Sequence, residues 1–196
     1  MVASSALCSP LFAGPRPRYF LLLITHISPH HTTQPPHPPH PQARHIANLA
    51  ALQQALSALP NVRVTSQDFA LLPFAAQVSL AHSAGVFVSV HGAGTAHGIF
   101  HAALGAPNCC ALVELQPDHT LGYQNTQGYA NLARLHGLHY YRYEASDGRT
   151  GPKGTTLDVG EVAELVRRAV AAVRTTPTCL HDARDTSSPL TLFNDS

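Results

Sequence analysis

The chain has no tryptophan, a single methionine and few charges, with Asp, Glu, Lys and Arg making up 12% of its 196 residues. That share is about half of what a globular domain usually carries. Net charge is +1, from 12 basic and 11 acidic side chains, which fits neither a polybasic nucleic-acid binder nor an acidic disordered tail. The longest unbroken apolar run is Tyr19–Ile24, far short of the ~20 residues that span a bilayer. The opening MVASSALCSPLFAGPRPR has no basic segment leading into a long apolar one, so it does not read as a signal peptide. Cys8, Cys109, Cys110 and Cys179 form no C-x-x-C pair, and a zinc ribbon or thioredoxin-type site is without support. Reduced thiols are the simplest reading, with a long-range Cys179 bridge open to a secreted chain.

What is plentiful is histidine, 14 in all. Several sit in one stretch, HISPHHTTQPPHPPHPQA over 26–43, which has six prolines and five histidines in 18 residues. Proline at that density denies both helix and ladder hydrogen bonds, so the stretch reads as an extended or disordered insertion. Its histidine spacing matches no fixed ligand geometry. With Ile27 as its only apolar anchor, it is expected to be removable at little cost in stability.

Elsewhere short apolar runs alternate with helical periodicity. Strands are expected at Tyr19–Thr25, Asn61–Ser66, Val86–Val90, Ala111–Leu115 and His139–Glu144. Helices are expected at Arg44–Leu59, Pro73–Ser83, Thr95–Leu104 and Tyr123–His136, with a last one after Asp158. Asp158 and Glu161 have the spacing of a capping box, and Val162, Leu165, Val166, Ala169, Val170 and Val173 form its apolar stripe. This alternation predicts an α/β class, a doubly wound Rossmann-like sheet. The domain would run over 19–175, between an N-terminal segment 1–18 and a polar tail 176–196.

Open α/β sheets bind ligands outside the carboxyl ends of their strands. Val86–Val90 runs into His91-Gly92-Ala93-Gly94-Thr95, where glycines allow a sharp turn and close approach to a ligand. A helix starting near Thr95 would aim its free N–H groups at an anion. Such a turn can equally serve only to pack a strand against a helix.

The order of motifs adds to this. Gln77, His91-Gly92-Ala93-Gly94, Phe100, Glu114-Leu115-Gln116-Pro117 and Gly137-Leu138-His139-Tyr140 follow one another, with Arg44-His45-Ile46-Ala47-Asn48 upstream. Together, from Tyr19 to Tyr143, they resemble the C-terminal half of the catalytic domain of glycosyltransferase family 61. The chain departs from the family pattern in Thr95-Ala96-His97 after HGAG, in one extra residue before Pro117, and in the His/Pro insertion.

The resemblance implies one nucleotide-sugar-binding lobe of a two-lobed GT-B transferase, with the acceptor-side lobe absent from this stretch. It implies an enzyme that moves a hexosyl or pentosyl group from a UDP-sugar to a glycan or protein hydroxyl with inversion, in the Golgi or ER lumen. Gly92, Ala93, Gly94 and Thr95 would face the diphosphate in place of metal charge, so no cofactor and no metal are expected. His91 is the candidate catalytic residue, donating to a phosphate oxygen as UDP leaves; it could instead only fix the turn. Glu114 would accept the ribose hydroxyls, or else serve as a cap or ion-pair partner. Arg44 would clamp phosphate, or simply open a helix. No residue is assigned as the base that deprotonates the acceptor.

Two other readings remain. A truncated or non-catalytic lobe would bind a nucleotide sugar and transfer nothing. An α/β-hydrolase would use HGAG as its oxyanion loop and Ser83, in Ala81-His82-Ser83-Ala84-Gly85, as nucleophile, but that loop should precede the serine rather than follow it.

Overall fold

The computed structural model describes residues 19–26, 46–102, 110–116, 127–145, 150–151 and 154–175. Five parallel strands form one sheet, β1 (Tyr19–His26), β2 (Val62–Asp68), β3 (Val86–Val90), β4 (Ala111–Gln116) and β5 (His139–Glu144), in the spatial order β2-β1-β3-β4-β5. A two-residue hairpin, β6 (Thr150–Gly151) with β7 (Gly154–Thr155), stands apart from that sheet. The helices are α1 (Leu49–Ser57), α2 (Phe74–Ser83), α3 (Gly98–Ala102), α4 (Gly128–Leu135) and α5 (Val159–Thr175), with 3-10 turns at Phe69–Leu71 and Ala93–His97. The expected α/β class with a parallel sheet is what forms.

Both faces of the sheet are covered, which is why β3 and β4 are buried at every position. Alternation sorts their side chains. Val86, Val88, Ala111, Val113 and Leu115 face Leu52 and Leu56 of α1 and Val162, Val166, Ala169 and Val173 of α5. Phe87 and Leu112 face the opposite layer, with Ala81 of α2 and Ala133 of α4. Fully burying one such aliphatic side chain stabilises the fold by about 1.5–3 kcal/mol.

Helix ends follow local chemistry where no distant partner intervenes. Asp158 accepts from the Glu161 N–H at 3.0 Å, the N-cap half of the expected box. At the end of α4, Gly137 takes φ 64°, and the Leu138 and Gly137 N–H groups bond Ala133 and Arg134 carbonyls at 2.8 and 3.3 Å. This is a Schellman ending, and it sends Leu138 into the core just before β5.

Three expectations are corrected. The first helix starts at Leu49, not Arg44, because Ile46 bridges Thr155 and the Ala47 N–H donates to the Thr155 carbonyl. The helix expected at Thr95–Leu104 is instead a 3-10 turn followed by the short α3, since the Thr95 N–H bonds the Gly92 carbonyl three residues back. His26, placed by the sequence in the insertion, is the last residue of β1 and pairs with Asp68 past an irregularity in register. The rest of the insertion, the segments 1–18 and 176–196, Arg44 and Pro117 lie outside the described residues.

Candidate functional site

After β1 the chain crosses one face of the sheet as α1, and after β3 it crosses the other as α3. Neighbouring strands whose connections leave in opposite directions create a crevice at their carboxyl ends. His91 stands there, immediately after β3, with its N–H bonded to the Leu115 carbonyl at 2.9 Å.

Gly92 turns the chain, with φ 155° and ψ −173°, a region that side chains with a Cβ essentially never enter. The requirement for glycine therefore falls on Gly92, and Gly94 is not among the described glycines with positive φ. Gly94 is buried and Ala93 is exposed at the turn. Thr95 is wholly buried; its hydroxyl donates to the Val90 carbonyl at 3.0 Å and lies 3.2 Å from the Ser89 hydroxyl. With its N–H also used inside the turn, Thr95 locks the loop rather than presenting donors to an anion. His97 closes the turn from its far end, its Nδ1 3.2 Å from the Gly94 carbonyl.

Behind His91 lies a chain of polar contacts. Its Nδ1 meets one oxygen of Glu114, and the Tyr140 hydroxyl donates to the other. Glu114 is 1% exposed. A buried carboxylate accepts, so Nδ1 carries the ring hydrogen, and any proton His91 exchanges with a ligand passes through Nε2. Burial, then the hydrogen bond and charge of Glu114, push the Tyr140 phenol well above its ordinary range, so it stays a donor. Tyr129 of α4 completes the setting. Its ring meets the His91 ring edge-on at 5.2 Å, and its hydroxyl donates to the Gly92 carbonyl.

This geometry changes the role expected of Glu114. Each of its oxygens already meets a protein group and the residue is buried, which is the arrangement of the ion-pair alternative, with Glu114 orienting His91. Gln77, part of the motif order, bonds the Phe69 and Leu72 carbonyls at 2.8 and 2.9 Å and holds the link between β2 and α2. Ser83 is the last residue of α2, its hydroxyl 2.9 Å from the Leu80 carbonyl. A serine there is not on the strained strand-to-helix turn that a hydrolase nucleophile needs.

Tyr129 and Tyr140 were not expected as site residues. Tyr140 was legible in principle: strand register pairs Glu114 with Arg142 and Leu112 with Tyr140, which places Tyr140 on the Glu114 face. Tyr129 had no comparable signal. Among the described residues no three His, Cys, Asp or Glu side chains come together as a metal site, and no helix is long and apolar enough to cross a membrane.

Residues 21–113 match the family model described as Glycosyltransferase 61. Over 106 residues, 53% of the chain, the sequence is 34% identical to an EGF domain-specific O-linked N-acetylglucosamine transferase of Xenopus laevis, covering 18% of that protein. The Mus musculus protein of the same name is 32% identical over 99 residues, 50% of this chain and 17% of its own length. The chain thus spans under a fifth of the length of these curated relatives. The segment from residue 21 to residue 113, which contains the His91 loop, is thus similar to glycosyltransferase family 61.

Proposed function

We propose that these residues form the donor-binding lobe of a GT-B glycosyltransferase, in which the His91–Thr95 loop receives the diphosphate of a UDP-sugar. The observation that supports it best is His91 itself, held by a buried carboxylate at the carboxyl end of β3, where an open α/β sheet takes its ligands. In an imidazole oriented through Nδ1, Nε2 is the atom that would make a charge-assisted contact with a phosphate oxygen, a contact that strengthens as negative charge grows on departing UDP. Gly92 and Ala93 bring backbone to the same place. Thr95 and Glu114 support the loop from behind. Arg44 is retained as a phosphate clamp on the strength of the resemblance alone.

The reading includes transfer with inversion to a glycan or protein hydroxyl, in the lumen of the ER or Golgi. The curated relatives are named for transfer of N-acetylglucosamine to EGF domains, and a protein hydroxyl is accordingly the acceptor class we favour. The base that activates it is assigned to none of the described residues. UDP binding is proposed to need no divalent metal.

Calorimetry with UDP tests this directly, with and without EDTA. Binding that survives chelation and falls at least about tenfold in His91→Ala is expected, the loss of one charge-assisted contact. Absence of UDP binding overturns the proposal, and loss on chelation overturns its metal-free part.

A further inference from the structure

With Glu114 committed to His91 and Tyr140, the next residue on its face of β4 is Gln116, the last residue of the strand. The Leu115 carbonyl between them accepts the His91 N–H, so Gln116 ends its strand alongside the candidate loop. The residue is 1% exposed, yet its Oε1 finds no hydrogen-bond partner among the described residues. Folded proteins rarely leave such an oxygen unmet, because it has given up water and received nothing in return. Where one persists at a strand end beside a ligand crevice, a ligand donor is the natural complement.

We propose that Gln116 is a recognition residue for the nucleoside of the donor, its Oε1 accepting a hydrogen bond from a ribose hydroxyl or from the uracil imide N–H. The assignment rests on the donor-lobe reading above. It replaces Glu114 with a neutral acceptor two residues further along the strand. A neutral amide suits the position: a second carboxylate beside Glu114 and a diphosphate would add like charge.

The test measures UDP affinity of the full chain, wild type and Gln116→Met, alongside 2′-deoxy-UDP, 3′-deoxy-UDP and N3-methyl-UDP. Methionine keeps the volume and removes the orphaned oxygen. The variant is expected to melt no lower than wild type and to bind UDP at least about tenfold more weakly. For the one analogue that lacks the matched donor, wild type and variant should bind alike. Unchanged UDP affinity in Gln116→Met overturns the assignment while leaving the donor lobe standing. So does equal affinity of the wild-type chain for UDP and all three analogues, a comparison that does not depend on the variant folding. No UDP binding by wild type overturns the donor-lobe reading, and this assignment with it.

Discussion

Tyr140 donates its hydroxyl to the Glu114 oxygen that His91 does not occupy, across the pairing of β4 with β5. The contact gives a buried carboxylate its second partner, which it needs because an under-solvated charge is costly. Tyr140→Phe removes that partner and leaves the ring. We expect a loss of about 1.5–3 kcal/mol in unfolding free energy near neutral pH, the usual range for a hydrogen bond to a charged group. The pH dependence has a definite sign. The folded phenol titrates above its unfolded value of 10.0, so wild type is stabilised below that value and loses stability as pH rises beyond it. Urea melts at pH 8 and pH 10.5 should show wild type falling more steeply than Tyr140→Phe; parallel slopes would refute the coupling.

Gly92→Ala tests the backbone of the loop. At φ 155° and ψ −173° a Cβ forces either strain or rearrangement, at about 1–3 kcal/mol. Because Tyr129 holds the Gly92 carbonyl, rearrangement would also disturb the ring packed on His91. Thermal melting should drop and UDP affinity should weaken together. Ala at Gly94, which is not among the positive-φ glycines, should cost less stability than Ala at Gly92.

His97 gives the loop an acid limit. Burial holds its imidazole below the usual range, with the Gly94 carbonyl opposing that shift. Its ring packs against Phe69 at 4.9 Å and its Nε2 is buried without a hydrogen-bond partner among the described residues. A folded value below the unfolded 6.5 means the contribution is fully present above pH 6.5 and is lost as pH falls beneath it. His97→Phe should therefore flatten the fall in stability between pH 7 and pH 5 relative to wild type. Identical acid limbs in the two proteins would remove His97 as a cause.

How far the sequence could be read depended on where each partner lies. Val86–Val90 was legible to the residue, since β-branched and aromatic side chains buried on both faces leave few alternatives. The start of α5 was legible because Asp158 and its N–H partner are three residues apart. The start of α1 was not, because Ile46 and Ala47 are claimed by Thr155, far along the chain. The site divides in the same way. His91 and its glycine turn are local and could be found from spacing. The role of Glu114 depends on Tyr140, 26 residues away, and the sequence left it open between an acceptor of ribose hydroxyls and an ion-pair partner.

Asn48 ties together distant parts of the chain: its side chain donates to the carbonyl oxygen of Leu157 and accepts from its N–H, at 2.8 and 3.1 Å, 109 residues apart. Leu157 leads directly into α5, whose Val162, Val166 and Val173 roof the strands of the matched segment. The stretch that the family model matches ends at residue 113, ahead of Glu114, of Tyr140 and of that roof. What the family model matches and what must fold as one body are thus different lengths of chain. A piece excised at the boundaries of that match would lay bare Val86, Val88 and Val113 and would leave His91 without its carboxylate.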